Sequence, residues 1–463
     1  MLKTIIKRSG EKVPFDASKI RGAIFKANVR NATEKMSDKQ LDQLTQAVVA
    51  ELEKKKEGPT VEQIQDVVEE KLIAADYAKT AKAYILYRAE HQKLREMDDE
   101  LVKIYSALTF VPAEDADLKR ENANINADTA MGTMLKYGSE GAKSFYDKYV
   151  IPPHIAKAHA EGQIHIHDKD FYTLTETCCQ IDLIKLFHNG FSTGHGYLRE
   201  PNAISSYAAL ACIAIQSNQN DQHGGQSVPN FDYAMAEGVK KTFRRLYTNN
   251  LAKAVSFSLG LDDFTDVLAE MKKAAADIEQ ESGLYPRLRN NDDYKAKEWE
   301  KIAGKYGENF SHLQDSAEKL AESETDRATY QAMEALIHNL NTMNSRAGAQ
   351  NPFSSINYGT DTSPEGRMVI KNVMLAEEHG LGNGETPIFP IHIFKVKEGI
   401  NYNHGDPNYD LFKLAIRVSA KRMFPNFSFI DAPFNLQYYK PGDYHTEAAY
   451  MGCRTRVIGN VYD

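Results

Sequence analysis

Between Pro352 and Asp431 the chain alternates short apolar runs with helical patterning, and this limits the fold more than any other feature. Pro352-Phe353-Ser354-Ser355-Ile356-Asn357-Tyr358-Gly359 reads as a strand end. Glu385 to Ile393 reads as a buried strand, Leu411 to Met423 as a helix, and Phe427 to Asp431 as a further strand. Strands separated by helices cannot pair as hairpins. They need crossovers, and crossovers build a parallel α/β sheet. Upstream, Thr177 to Leu183 reads as another strand, and Pro201 to Gln219 as a helix of small and apolar residues suited to pack on a sheet.

At 463 residues the chain can hold two or three domains. Its 42% apolar and 26% charged residues are those of a folded, not a disordered, chain. A net charge of −8, spread along the chain, gives no basic face for nucleic acid. The longest apolar-rich run, Ala208 to Ile215, is too short to span a bilayer. No apolar segment follows the basic start, so a signal peptide is not expected and a cytoplasmic location is. Four cysteines, Cys178, Cys179, Cys212 and Cys453, lack the spacing of a disulfide framework.

In the first ninety residues, Ile5 to Phe15 reads as a small hairpin around a Ser9-Gly10 turn. Helices are expected from Lys19 to about Ala27, from about Asp38 to Lys55, from a Thr60 cap onward, and from Tyr77 past Arg88. Lys7, Arg8 and Lys19 supply positive charge, and the Thr60 helix start offers N–H groups, the components of a phosphate site. A solvated basic edge would give the same pattern. Residues 94–118 form a charged linker broken by Pro112. Beyond it, Glu121 to Asn126 suits a loop packed against a site, and Tyr137 to Tyr149 an amphipathic helix. His165 and His167 would share one face of a strand ending at Asp168. No third ligand follows at a useful spacing, so hydrogen-bonded histidines are expected there rather than a metal.

Cys178 and Cys179 stand side by side in an apolar strand. One must face away from the other, and an adjacent pair makes a strained disulfide. The pair therefore needs a partner from elsewhere. Cys453, behind Gly452 in the polar turn Met451 to Thr455, is the best candidate. Buried, inert cysteines are the plainer reading, and Cys212 is expected to be such a filler. Ser354, Ser355 and Asn357 offer hydroxyl and amide groups for a ribose or phosphate. The Asn189 to Gly196 stretch is glycine-rich but lacks a nucleotide-binding pattern. Residues 262–335 read as solvated helices.

These stretches carry a resemblance. Lys7-Arg8-Ser9-Gly10, Val13-Pro14-Phe15-Asp16, Lys19-Ile20, Thr60 and the Tyr84 to Arg88 helix resemble an ATP-cone over residues 1–93, with Ser9 where an aspartate is commoner. This implies ATP and dATP as effectors, held by Lys7, Arg8, Gly10, Lys19, Thr60 and Arg88. Residues 120–260 and 325–463, within an expected domain of residues 119–463, resemble the catalytic domain of anaerobic, class III ribonucleoside triphosphate reductases. The matching stretches are Met131-Gly132, Ile164 to Asp168, Cys178 to Asp182, Asn218 to Gly225, Arg346 to Gln350, Pro352 to Gly359 and Met451 to Thr455.

The resemblance implies an α/β fold: the cone, a small hairpin plus helical bundle, then part of a ten-stranded barrel. It implies a thiyl radical on Cys453 at a finger-loop tip and hydrogen donation by Cys178 or Cys179, with Cys179 favoured. Ser354, Ser355, Asn357 and Gly452 would line the substrate. Implied partners are ribonucleoside triphosphates, dNTP effectors, a radical-SAM activase and a second copy of the chain; the reductant is formate in the formate-using members and a thiol system otherwise. The family's glycyl radical and four-cysteine zinc site have no residues in this sequence, and neither do the remaining barrel strands. The expectation is a fragment, or one half of a split enzyme completed by another chain. A non-catalytic nucleotide-binding module and another glycyl-radical enzyme are the alternatives.

Overall fold

The computed structural model describes residues 2–8, 10–29, 34–55, 58–110, 129–172, 176–307, 309–345, 350–453 and 455–457. Ser9, the Glu121–Asn126 loop, Arg346 to Ala349, Arg454 and 458–463 lie outside them, as does the linker from 111 onward. The chain divides into two units, Met1–Pro112 and Ala113–Asp463.

The first unit opens with β1 (Thr4–Ile6) paired antiparallel to β2 (Lys12–Pro14), Ile5 opposite Val13. On its other edge Ile6 bridges Thr60. Helices follow at Ala17–Val29, Asp38–Leu52, Val61–Ala74 and Ala78–Phe110. Ser37 and Thr60 each begin a helix with a capping box, closed by Gln40 and Gln63. Each box satisfies two backbone N–H groups that the first turn leaves unpaired. Apolar residues at helical spacing, among them Ile24, Val48, Leu52, Val68 and Leu72, form a core of their own. The last helix runs through the first part of the expected linker without a break.

The second unit is α/β, as expected, with a five-stranded parallel sheet. Its strands are β3 (Cys179–Gln180), β6 (Gln226–Val228), β7 (Ser354–Tyr358), β8 (Ile391–Val396) and β9 (Asn426–Phe429), adjacent in chain order. A small hairpin, β4 (Phe191–Ser192) and β5 (Tyr197–Leu198), lies between the first two. Helices Ile204–Asp221, Phe231–Ser258, Phe310–Thr342, Pro364–His379 and Tyr409–Arg422 supply the crossovers. β8 starts later than expected, because Pro387 and Pro390 have no N–H for a ladder.

Alternation along the strands separates two faces. Val228, Ile356, Tyr358, Phe394 and Val396 meet the helices in one apolar core. Ser227, Ser355, Asn357, Ile393 and Lys395 fall on the other face.

Residues 262–335 are not simply solvated. They form helices Thr265–Ser282 and Asp292–Tyr306 and most of Phe310–Thr342, each burying an apolar stripe. Glu298 is buried among them, where Tyr247, Tyr294 and Gln314 donate to its carboxylate at 2.6, 3.0 and 2.8 Å. Total charge hid this, because one side of each helix carries nearly all of it. No strand forms at Ile164 to Asp168 either. The segment turns at Gly162, and Asp168 adopts φ 50°. His167 pairs with Asp168 at 2.8 Å, and His159 accepts the Ile166 N–H at 3.2 Å.

Candidate active site

The second hairpin of this unit, β10 (Ala449–Tyr450) with β11 (Arg456–Val457), carries Met451 to Thr455 at its tip. The Met451 N–H donates to Thr455 O at 3.0 Å and closes the tip. Cys453 is exposed there, its Sγ 3.2 Å from Thr455 Oγ1.

Cys178 lies just before β3, on the side of the sheet that the hairpin tip approaches: the Phe353 ring packs on Gly452, next to Cys453, and on Gly225, which bonds Cys178. Cys178 Sγ accepts the Gly225 N–H at 3.3 Å. Burial pushes the Cys178 thiol up, and the adjacent Cys453 adds to this. Glycine is needed at Gly224, where φ is +86° and a β-carbon would lie 3.0 Å from Cys178 Sγ. At Gly452 a β-carbon would collide with Ile391 and lie 3.2 Å from Phe353. The Phe353 ring also comes within 3.1 Å of the corresponding point on Gly225, the residue whose N–H bonds Cys178, so it packs between the hairpin tip and the turn that holds Cys178.

Cys179, favoured from the sequence, faces the other way. It pairs with Gln226 in the ladder, and its Sγ accepts from Asn218 Nδ2 at 2.9 Å. Asn218 belongs to the helix Ile204–Asp221, so this thiol looks into the helical layer. Adjacent strand residues face opposite ways, so Cys178 lies towards the hairpin side of the sheet and Cys179 towards the helices. Cys212 is buried filler, its thiol pushed up to about 12 by burial alone.

The residues expected to hold substrate are placed as follows. Ser354 donates to Pro352 O at 3.2 Å and Ser355 to Gln226 O at 3.1 Å. Asn357 is fully buried, and its amide meets the backbone of Tyr450 in β10. Gly452 packs on Ile391 and Phe353. A cavity of about 760 Å³ opens beside this hairpin, lined by Ile393, Ser428, Phe434, Met451 and Gly452 among others.

Sequence reasoning missed a polar cluster under the hairpin stem. Lys395 Nζ donates to Glu447 Oε2 and Asn230 Oδ1, both at 2.8 Å, and Thr360 Oγ1 donates to Glu447 Oε2 at 2.7 Å. Nearby, Asp232 Oδ2 accepts the N–H groups of Gly359, Thr360 and Asp361 at 2.8 to 3.1 Å. Burial, helped by Asp361, pushes the Asp232 carboxyl up to about 6. Tyr233 stacks on Tyr444, ring centres 4.2 Å apart. A signal was present: Lys395 is a full charge in the buried-strand pattern Ile391 to Val396.

In the first unit, Arg8 pairs with Glu62 and donates to Gln65 at 3.0 Å, while Arg88 pairs with Asp66 and Glu69 at 2.6 and 2.9 Å. All four partners lie on the helix that Thr60 caps. Both arginines act on buried Tyr84, whose hydroxyl burial pushes up to about 12. Lys7 pairs with Glu11 at 2.9 Å, Gly10 turns the hairpin at φ +83°, and Lys19 is exposed. The structure thus brings Arg8, Thr60 and Arg88 to one helix.

Residues 121–461 match the family model for anaerobic ribonucleoside-triphosphate reductase, and residues 3–93 match the ATP cone domain. The anaerobic ribonucleoside-triphosphate reductase of Escherichia coli is 27% identical over 97% of this chain and 54% of its own. That of Haemophilus influenzae is 26% identical over 91% of this chain and 51% of its own. The chain spans about half the length of these curated relatives. A solved anaerobic ribonucleotide reductase from Thermotoga maritima, in complex with dATP and CTP, aligns at 12% identity with a TM-score of 0.41, over 74% of this chain and 50% of that one.

Proposed function

The chain belongs to the anaerobic ribonucleoside-triphosphate reductase family, and from that premise we propose that Cys453 and Cys178 reduce ribonucleoside triphosphates by thiyl-radical chemistry. The observation that carries this reading is the placement of Cys178 and of the Cys453 hairpin around one ring, Phe353, with β10 held to Asn357 of the parallel sheet. Cys453, in its thiyl form, takes the ribose 3′ hydrogen. Cys178 gives its hydrogen at C2′ as the 2′ hydroxyl leaves as water. A sulfur radical suits the task because no acid–base pair breaks an unactivated C–H bond. Formate is oxidised to carbon dioxide and supplies the two reducing electrons, a proton joins the departing hydroxyl to make water, and Cys453 returns the hydrogen to C3′. The cavity beside Met451 and Gly452 is the proposed substrate space.

The residues at hand do not fit the family's zinc site. Among the described residues no three His, Cys, Asp or Glu side chains converge to hold a metal, and the four cysteines form no CxxC pair. No step is therefore drawn through zinc or a glycyl radical. Regulation is proposed at the N-terminal unit, with ATP and dATP binding against Arg8, Thr60 and Arg88 and displacing their acidic partners. A radical-SAM activase and a second copy of the chain complete the proposed assembly.

The test is anaerobic incubation with CTP, formate and a radical-SAM activase. One arm adds, as a separate chain, the portion of the Escherichia coli relative that this chain does not span. The expected result is dCTP that disappears with Cys453→Ala and with Cys178→Ala but survives, reduced, with Cys179→Ala. Binding of ATP and dATP with no deoxynucleotide in any arm would sink the reductase reading and leave a regulatory nucleotide module.

A further inference from the structure

Among the described residues β10 pairs with β11 alone and adds no strand to the five-stranded sheet. It meets that sheet through side chains. Asn357 Nδ2 donates to Tyr450 O and Asn357 Oδ1 accepts from Tyr450 N, both at 2.9 Å. One primary amide thus pairs with both polar groups of one backbone residue, as an antiparallel neighbour would. Ser227 Oγ donates to the same carbonyl at 3.0 Å. Asn357 Nδ2 also lies 2.9 Å from Ser227 Oγ and 3.2 Å from Val228 O, which fixes its own rotamer.

We propose that Asn357 is the positioning residue that sets the register of the Cys453 tip over Cys178. Tyr450 stands three residues before Cys453. Slipping the hairpin by one residue would turn its side chains to the opposite face and carry the tip thiol away. Only an amide of this length both donates and accepts here. Aspartate would only accept, and leucine would do neither. The stem below is held separately, by Glu447 on Lys395 and Thr360. Asn357 therefore governs the last step from stem to tip. Its mechanistic meaning rests on the function proposed above, whereas the juxtaposition it controls can be measured with no turnover at all.

The measurement uses the full chain carrying Cys179→Ser and the thiol reagent dibromobimane, which becomes fluorescent once both arms have alkylated. The expected product is a bridge between Cys178 and Cys453, located by mass spectrometry of the digest. Asn357→Ala should slow bridging about tenfold, the size of one net hydrogen bond lost. Single-arm alkylation by monobromobimane should be as fast or faster. Ile356→Val, on the helix-facing side of the same strand, should lower the melting temperature and leave the bridging rate unchanged. Ser227→Ala, a milder change, should slow bridging by a smaller factor, and this holds even if Asn357→Ala fails to fold. Bridging equally fast in the Asn357 and Ser227 variants, or lost equally in Ile356→Val, would overturn the positioning role. Absence of any bridge in the parent would overturn the juxtaposition itself. A chain that bridges as expected but forms no deoxynucleotide leaves the positioning intact and removes only the reaction.

Discussion

Removing the charge of Lys395 should be among the most damaging single changes available in the sheet. Its side chain is fully buried and that of Glu447 nearly so. Lys395→Met keeps most of the volume but leaves Glu447 as a buried carboxylate with one hydroxyl donor, Thr360, at 2.7 Å. Breaking one half of a buried pair in this way costs about 3–5 kcal/mol. A unit of this size loses roughly 1.4 °C of Tm per kcal/mol, so the melting temperature should fall by roughly 4–7 °C. The double variant Lys395→Met/Glu447→Leu removes both charges and should recover most of the loss, since apolar replacement of a buried pair is close to neutral. Thermal or urea unfolding of the parent, both single variants and the double variant gives the coupling directly. It should exceed about 2 kcal/mol. A Lys395→Met cost below about 1 kcal/mol, the range of exposed ion pairs, would refute the reasoning. So would single-variant losses that merely add.

Glu377, buried on the helix-facing side, is pushed up by burial to about 8, while burial lowers His392 to about 3. A carboxyl raised in the folded state stabilises fully below its ordinary value of 4.5, and that contribution is lost as pH rises through about 8. Neutral His392 acts in the opposite sense, its contribution present above 6.5 and lost as pH falls towards about 3. Unfolding free energy should therefore decline between about pH 6.5 and 8, where Glu377 acts without His392, and Glu377→Gln should flatten that slope. A slope unchanged in the variant would assign it to other groups. Cys212 should resist iodoacetamide at pH 9 in the folded chain and react only on unfolding, followed by peptide mass spectrometry; alkylation of the native chain would contradict its burial. Ser37→Ala should cost the first unit about 1 kcal/mol through the lost capping box, and a calorimetric change below a few tenths would show that the box adds nothing.

Much of the architecture was legible because it is periodic. The helix faces of the first unit follow from Ile20, Ile24 and Ala27, and the Thr60 cap from its place before an apolar run. The parallel sheet follows from strands that alternate with helices. Individual sites were harder, because they depend on register. Sequence alone says that Cys178 and Cys179 face opposite ways, but the choice is made by Cys179 pairing with Gln226 and receiving Asn218 from a helix some forty residues on. Asn357 reads in the sequence as an amide for a ligand, and its bonds to the hairpin backbone cannot be read there. What distinguishes it is Tyr450, 93 residues away. The stripes buried by residues 262–335 were hidden for a similar reason, since overall charge does not report how charge is distributed around a helix.

The sheet's strands are adjacent in the order in which the ribosome makes them. Each new strand can dock on the edge left by the previous one, so the sheet grows in one direction without waiting for distant partners. The hairpin is different. Tyr450 meets Ser227 and Asn357 across separations of 223 and 93 residues, contacts whose loop-closure entropy must be overcome late. Cys453 follows all five strands in the chain, so the sheet can assemble before the tip reaches it. Order of synthesis keeps the two thiols apart while those strands are being made.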